Sequence, residues 1–285
     1  MIMRTILVPV RGDGKGEGVM DHALSLAKRF GAHIDAIHAR ARPKDMLPFG
    51  VLMTESMKTT ILGAAEQNAS QEEDRVRELF NNYCKDNGLN IVDADNAASD
   101  GSTASWTELT GKQAGLVGLY GRMADLVAVP KPDAELGINT LEASLMEAGA
   151  LTLMCPHRKF ETLGETVAIA WNGGSESARV IKTSLPVLEA AKEVHILTND
   201  VEGKKNGLPA TSIQAFLKRH GVSCEVKTFA RNEEVGAALL KAATDVGADM
   251  LIMGAYSHSR QRELVMGGAT HYIIKNADMP ILMLH

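Results

Sequence analysis

Cysteine is scarce and scattered in this chain. Cys84, Cys155 and Cys224 are its only three in 285 residues, and they form no Cys-x-x-Cys pair and no Cys/His cluster. That excludes a disulfide framework and a structural zinc, and it predicts free thiols in a reducing compartment. Basic runs are absent as well. The net charge is −5 and the pI about 6.0, whereas contacts to a phosphate backbone require clustered Lys and Arg, so nucleic acid is not the expected partner. No apolar stretch approaches the roughly 20 residues that cross a bilayer, so no membrane partner is expected. The chain enters a strand at Ile6-Leu7-Val8-Pro9-Val10 without a charged-then-apolar leader, which predicts a cytoplasmic location. There is no Gly-x-Ser-x-Gly elbow, no Walker motif and no His-Glu-x-x-His, hence no recognisable catalytic set. Among the histidines, His33, His38 and His195 fall in or near strands and are expected to be packing residues.

What is present is an internal duplication. Thr5-Ile-Leu-Val-Pro-Val resembles Thr166-Val-Ala-Ile-Ala-Trp, each a short apolar run followed by a Gly-rich turn and a helical stretch. Ala124-Asp125-Leu-Val-Ala-Val resembles Ala248-Asp249-Met-Leu-Ile-Met, and Ala150-Leu-Thr-Leu-Met-Cys-Pro resembles Met279-Pro-Ile-Leu-Met-Leu. Apolar runs of this length alternating with helical stretches predict parallel strands buried on both faces. In the second half the pattern predicts strands near 166–171, 193–198, 223–229, 249–253 and 280–284, with helices at 175–190, 209–220, 233–247 and 268–276. The expected fold class is α/β: two tandem doubly wound domains, each a five-stranded parallel sheet flanked by helices. The boundary is placed at 156/157, where the polar stretch His157 to Glu165 follows Pro156. The first domain carries an extra segment near 42–84, read as a surface excursion and then an extended helix running to about Cys84. Met57, Ile61, Leu62 and Leu79 of that helix cover the first domain or meet another chain.

The chain ends on its most specific motif. A strand through Asp249-Met-Leu-Ile-Met253 runs into Gly254; Ser257 follows, then Gly267-Gly268-Ala269-Thr270 opens the last helix. Glycines at such a junction bring backbone N–H groups close to a ligand, and a helix N-terminus offers unpaired donors to a phosphate. The spacing Gly254, Ser257, Gly267, Gly268 resembles the ATP-binding signature of the universal stress protein family, Gly-x2-Gly-x9-Gly-Ser/Thr. Ser257 stands where that family has its second glycine, and Gly268 stands at its Ser/Thr position.

The resemblance covers both halves, in the tandem form of the family. It implies a stress-response protein that binds ATP or a related adenine nucleotide in the second half, with or without Mg2+. It also implies domains paired through their last strands, and leaves open a further homodimer. Ala170, Trp171 and Asn199 match positions contacting base or sugar, and Met253 and Gly254 would border the base. Gly267, Gly268 and Ala269 would offer amides to phosphates, with Thr270 capping the helix, packing there or touching ligand. Asn172 replaces the family's aspartate at the first strand end, keeping an acceptor oxygen but losing the charge that would hold a metal. Trp171 either covers the base or plugs the core. Ser257 either crowds the phosphate site or donates a hydrogen bond to it. One of His258, Arg260 and Arg262 closes over the phosphates, or all three are solvated.

In the first half the matching positions are Arg11 and Pro130, and proline has no N–H to donate. No glycine pair precedes Thr140-Leu-Glu-Ala-Ser-Leu-Met-Glu, and Glu142 and Glu147 would stand near the phosphate place. The Gly-rich turn from Arg11 to Gly18 lacks the Gly-x-Gly-x-x-Gly order. This half is therefore read as a structural partner. Two readings compete with nucleotide binding: the same fold acting through protein contacts, and an enzyme of the wider adenine-nucleotide α-hydrolase class. The latter is signalled by Ser-Gly-Gly-x-Asp-Ser, of which Asn172-Gly-Gly-Ser-Glu-Ser177 is a loose echo. With no catalytic set, enzymatic activity is expected to be slow ATP hydrolysis at most.

Overall fold

A computed structural model describes residues 3–12, 16–40, 42, 53–93, 101–133, 139–199, 207–230, 234–255 and 268–285. The first half runs β1 (Thr5–Val10), α1 (Gly16–Phe30), β2 (His33–Arg40), α2 (Glu55–Asp86), β3 (Asn90–Ile91) and β4 (Thr103–Thr110). It continues with α3 (Gln113–Tyr120), β5 (Leu126–Pro130), α4 (Asn139–Ala143) and β6 (Leu151–Cys155). The second half runs β7 (Thr166–Ala170), α5 (Ser175–Thr183), α6 (Leu185–Ala190), β8 (Glu193–Asn199), α7 (Ala210–Arg219) and β9 (Glu225–Phe229). It ends with α8 (Val235–Asp245), β10 (Met250–Gly254), α9 (Gly268–Asn276) and β11 (Ile281–Leu284).

The strands form one sheet in the order β3-β4-β2-β1-β5-β6-β11-β10-β7-β8-β9. Every neighbouring pair is parallel except β6 and β11, which run antiparallel with Leu282 opposite Leu153. Each half thus contributes a doubly wound sheet whose order reverses at its first strand. The first half has six strands where the pattern predicts five, because two-residue β3 adds an edge beside β4.

Alternation along the strands sorts side chains onto two helical layers. Ile6 and Val8 of β1 and Met250 and Ile252 of β10 face α1, α2, α5, α6 and α7. Leu7, Leu251 and Met253 face α3, α4, α8 and α9. The duplicated Ala-Asp pair has a structural cause. Asp249 accepts from the amides of Gly164, Glu165 and Thr166 at 2.9, 3.0 and 3.3 Å. Asp125 does the same for Arg4 and Thr5 at 2.7 and 3.0 Å. In each half the aspartate opening the fourth principal strand satisfies amides at the start of the first, where no ladder partner serves them.

Two departures from the pattern have local reasons. The stretch 175–190 is two helices because Pro186, in the first turn of α6, lacks the N–H that would continue α5; the break falls at Ser184. Helix α2 is 32 residues long, starts at a Thr54 cap and docks through Val76, Phe80 and Cys84, one turn apart. Met57 and Leu79 stay exposed. Burial raises the Cys84 thiol to about 11 and raises Cys155 as well, so both stay protonated and unreactive. Residues 157–165 cross between the halves, held by Arg29 Nη1 donating to the Leu163 carbonyl at 2.8 Å. No described helix is long and apolar enough to cross a membrane.

Candidate functional site

Strands β7 and β10 lie side by side, Ile169 opposite Ile252, so their carboxyl ends open at the same edge. The helix after each strand must run back across the sheet for the next strand to be parallel. That places the N-termini of α5 and α9 at this edge too. Ala170, Trp171, Asn172, Asn199, Met253 and Gly254 are all at the ends of β7, β8 and β10. Gly268, Ala269 and Thr270 form the first turn of α9. Gly268 is exposed, and a Cβ there would meet no atom of the described residues within 4 Å; Thr270 is buried. Ser257 and Gly267 lie outside the described residues, as do His258, Arg260 and Arg262.

Several of these side chains are already engaged. Asn172 Oδ1 accepts from the Gly174 amide at 2.9 Å and from Ser177 Oγ at 2.8 Å. The asparagine therefore closes the first turn of α5 from just outside it, an Asx turn serving an otherwise uncapped helix. Only its amide N–H groups stay available. Trp171 is 6% exposed within the core, and its Nε1 donates to the Leu208 carbonyl at 2.9 Å. The indole is a plug and an anchor, not a platform open to a base.

The segment it anchors crosses the end of β7. Leu208 N donates to the Gly173 carbonyl at 3.2 Å, and Gly173 adopts φ +78°. A Cβ at Gly173 would stand 2.9 Å from the Leu208 carbonyl oxygen, so glycine is required there both for the backbone turn and for this crossing. The Leu208 side chain is exposed.

Gly254 likewise has a packing role. Strand alternation turns it to the α5 side, where a Cβ would come within 2.8 Å of the Glu176 carbonyl carbon and Ser177 nitrogen. Met253 turns the opposite way and is buried beneath α8 and α9, so it supports the site from below rather than bordering a ligand. Asn199 ends β8 opposite Phe229 and is half-buried. Among the described residues predicted for the site, those presented at this edge are the exposed first residue of α9, the amide of Asn172, and the half-buried Ala170, Asn199 and Ala269.

In the first half the corresponding edge differs. Pro130 ends β5 opposite Cys155. Helix α4 stops at Ala143 and passes into a π turn, Ser144–Ala148. Glu147 lies against Gly118 of α3, where a Cβ would come within 2.6 Å of its Oε2; its carboxylate rests on that helix. Arg11 follows β1 and lines a cavity that sequence patterns did not signal. Among the described residues, no three His, Cys, Asp or Glu side chains are grouped to hold a metal ion.

Comparison with known proteins agrees with this architecture. Residues 173–285 match the model of the universal stress protein family. A curated universal stress protein of Synechocystis sp. is 28% identical over 131 residues, a match covering 44% of this chain and 44% of that protein. The alignment thus spans less than half the length of that relative. The crystal structure of a universal stress protein from Archaeoglobus fulgidus DSM 4304 superposes with a TM-score of 0.70 at 12% identity. That likeness covers 98% of this chain and 97% of the other. A solved structure from Pseudomonas aeruginosa UCBPP-PA14 gives 0.56 at 14% identity, over 99% and 93% of the two chains. Residues 173–285 are therefore similar to a universal stress protein domain, in a chain that has the fold of such proteins over nearly its whole length.

Proposed function

We propose that this chain is a tandem stress-response protein, with domains 1–156 and 157–285, that binds ATP or a related adenine nucleotide in its second domain. The observation that carries this reading is the convergence of two strand ends and two helix N-termini at one edge. The glycine-spaced motif supplies the start of α9 there. Phosphates would be held by the amides of Gly267, Gly268 and Ala269, with the helix N-terminus adding favourable partial charge. The base and sugar would lie beside Ala170 and Asn199, because Trp171 is pinned beneath Leu208. With an amide at position 172, any Mg2+ would be held by the phosphates rather than by the protein. The first domain would serve as partner, joined through β6 and β11.

A second reading, an interaction module without nucleotide, draws support from Asn172 Oδ1 and Trp171 Nε1, which already have intramolecular partners.

Calorimetric titration of the nucleotide-stripped protein with ATP, with and without Mg2+, separates the two. Binding is expected at one site per chain with roughly micromolar affinity, and Gly268→Asp is expected to abolish it. That substitution adds a carboxylate where phosphate would sit, in open space at a helix start that tolerates an acidic residue. No heat and no thermal shift at millimolar ATP would leave the interaction reading standing.

A further inference from the structure

Among the described residues eight large apolar side chains are exposed, and half of them fall on one small part of the first half. They are Leu119 (54% exposed), Tyr120 (43%), Met123 (88%) and Met146 (51%). The other four are scattered: Met57 and Leu79 are about six turns apart on α2, and Ile91 and Leu208 belong to separate segments.

Backbone packing brings the four together. Helix α3 passes directly into a 3-10 turn, Gly121–Met123. Gly118 and Gly121 turn towards the π turn that follows α4. A Cβ at 118 would stand 2.9 Å from the Glu147 Cβ, and one at 121 would stand 2.7 Å from the Ala148 Cβ. Val117 is buried on the sheet side. Leu119 and Met123 are four residues apart, so they share the remaining, outer face, with Tyr120 flanking them. Met146 adjoins Glu147 in the facing turn and is exposed on the same helical layer.

The fold itself does not require this surface. Counting back from the duplicated Ala-Asp pair, Tyr120 and Met123 stand where the second half has Thr244 and Gly247. There the ends of α8 and α9 expose Thr244, Asp245, Lys275 and Asn276, all polar. At their exposures the four apolar side chains present on the order of 500 Å², towards the upper end for the largest apolar patch of an ordinary monomer.

Charge on this face is balanced. The charged side chains of α3 with its Lys112 cap, the 3-10 turn, α4 and the π turn are Lys112, Arg122, Glu142 and Glu147, all exposed and two of each sign. The adjoining Asp125 is held by the Arg4 and Thr5 amides. The chain as a whole carries −5, so two copies repel through most of their surface and are spared that repulsion here. A two-fold axis would set Arg122 of each copy towards the acidic rim, Glu142 and Glu147, of the other.

We infer that the face formed by Leu119, Tyr120, Met123 and Met146 docks a second copy of this chain in a two-fold dimer. A standard interface buries about 800 Å² per partner, which an apolar centre of this size reaches together with its charged rim. Methionine and tyrosine at the centre with charge at the edge is the usual anatomy of such a contact. The second half lacks the patch, so one pairing uses it up and the assembly closes as a dimer. This inference does not depend on nucleotide binding in the second half.

Sedimentation equilibrium of the full chain, over about 1–100 μM, tests it. A monomer–dimer equilibrium with roughly micromolar Kd is expected. Met123→Glu and Leu119→Glu should each weaken dimerisation by about a hundredfold, since each places a carboxylate at the centre of the contact. Unchanged far-UV circular dichroism would show that the fold persists, as substitution at exposed positions allows. Met57→Glu, exposed on α2 away from this face, should leave the dimer intact. A chain monomeric throughout that range, leaving the face to some other partner, would overturn the assignment. So would a dimer that survives Met123→Glu combined with Leu119→Glu, or one lost equally in Met57→Glu.

Discussion

Two glycines of one motif should respond to alanine in opposite ways. At Gly254 a new Cβ would lie 2.8 Å from two backbone atoms of α5 and 2.9 Å from the Glu176 Cβ. Backbone cannot rotate aside as a side-chain tip can. Restoring 3.4 Å contact requires α5 to retreat by about 0.6 Å from β10. Overpacking of that kind costs about 1–3 kcal/mol, and the retreat would strain the bond from Ser177 to Asn172. For a domain of about 150 residues this corresponds to a fall in Tm of roughly 2–12 °C. At Gly268, by contrast, the same methyl meets no atom of the described residues within 4 Å. Alanine there should be neutral, or stabilise by up to about 1 kcal/mol through the unfolded chain. Urea denaturation of Gly254→Ala and Gly268→Ala without nucleotide provides the measurement. A midpoint unchanged by Gly254→Ala would refute the packing role and return that glycine to ligand approach alone. Loss of stability in Gly268→Ala would refute the open geometry at the start of α9.

Asp249→Ala orphans three amides at the start of β7 and should cost about 2–4 kcal/mol, read as a lower urea midpoint; Asp125→Ala, with two bonds at an exposed site, should cost less. Glu73 and Glu108 share a hydrogen bond that raises the Glu73 carboxyl and lowers that of Glu108. A raised folded value means that Glu73's contribution is present below the ordinary glutamate range and is lost as pH rises through the folded value. Each unit of such a shift is worth about 1.4 kcal/mol. Glu73→Gln, which cannot ionise, should therefore gain on the parent as pH rises, measured as the difference in Tm across a pH series; parallel profiles would count against a shared proton. Trp171→Phe removes the bond to Leu208 and should cost about 1 kcal/mol, with faster amide exchange at Leu208 as the specific sign.

The second half was legible because β7, β10 and β11 are buried on both faces and read as apolar runs, whereas the edge strand β9 is largely exposed. Thr166 to Ala170 and Met250 to Gly254 fall where those runs are. The start of α9 at Gly268 follows from the glycine pair ahead of a helical stretch. Less legible were features set by contacts distant in sequence. Nothing local to Gly254 announces that α5 presses on it, and nothing local to Asn172 announces that Ser177 will claim its oxygen. The apolar residues most visible along α2 are not those that anchor it: Val76, Phe80 and Cys84 lie towards its end, and Met57 remains outside. The cavity that Arg11 lines is assembled from four separate segments of chain, so no motif could have marked it.

The antiparallel seam between β6 and β11 has a genetic consequence. When two identical subunits meet, every substitution is felt twice, and neither copy of a site can be given up while the other is kept. Here both sides of the seam are encoded separately. A proline at 130 leaves Gly254 untouched, and the 32-residue length of α2 between β2 and β4 leaves α7, its counterpart between β8 and β9, at 10 residues. One side can hold an inherited role while the other is altered, residue by residue, without losing the shared sheet.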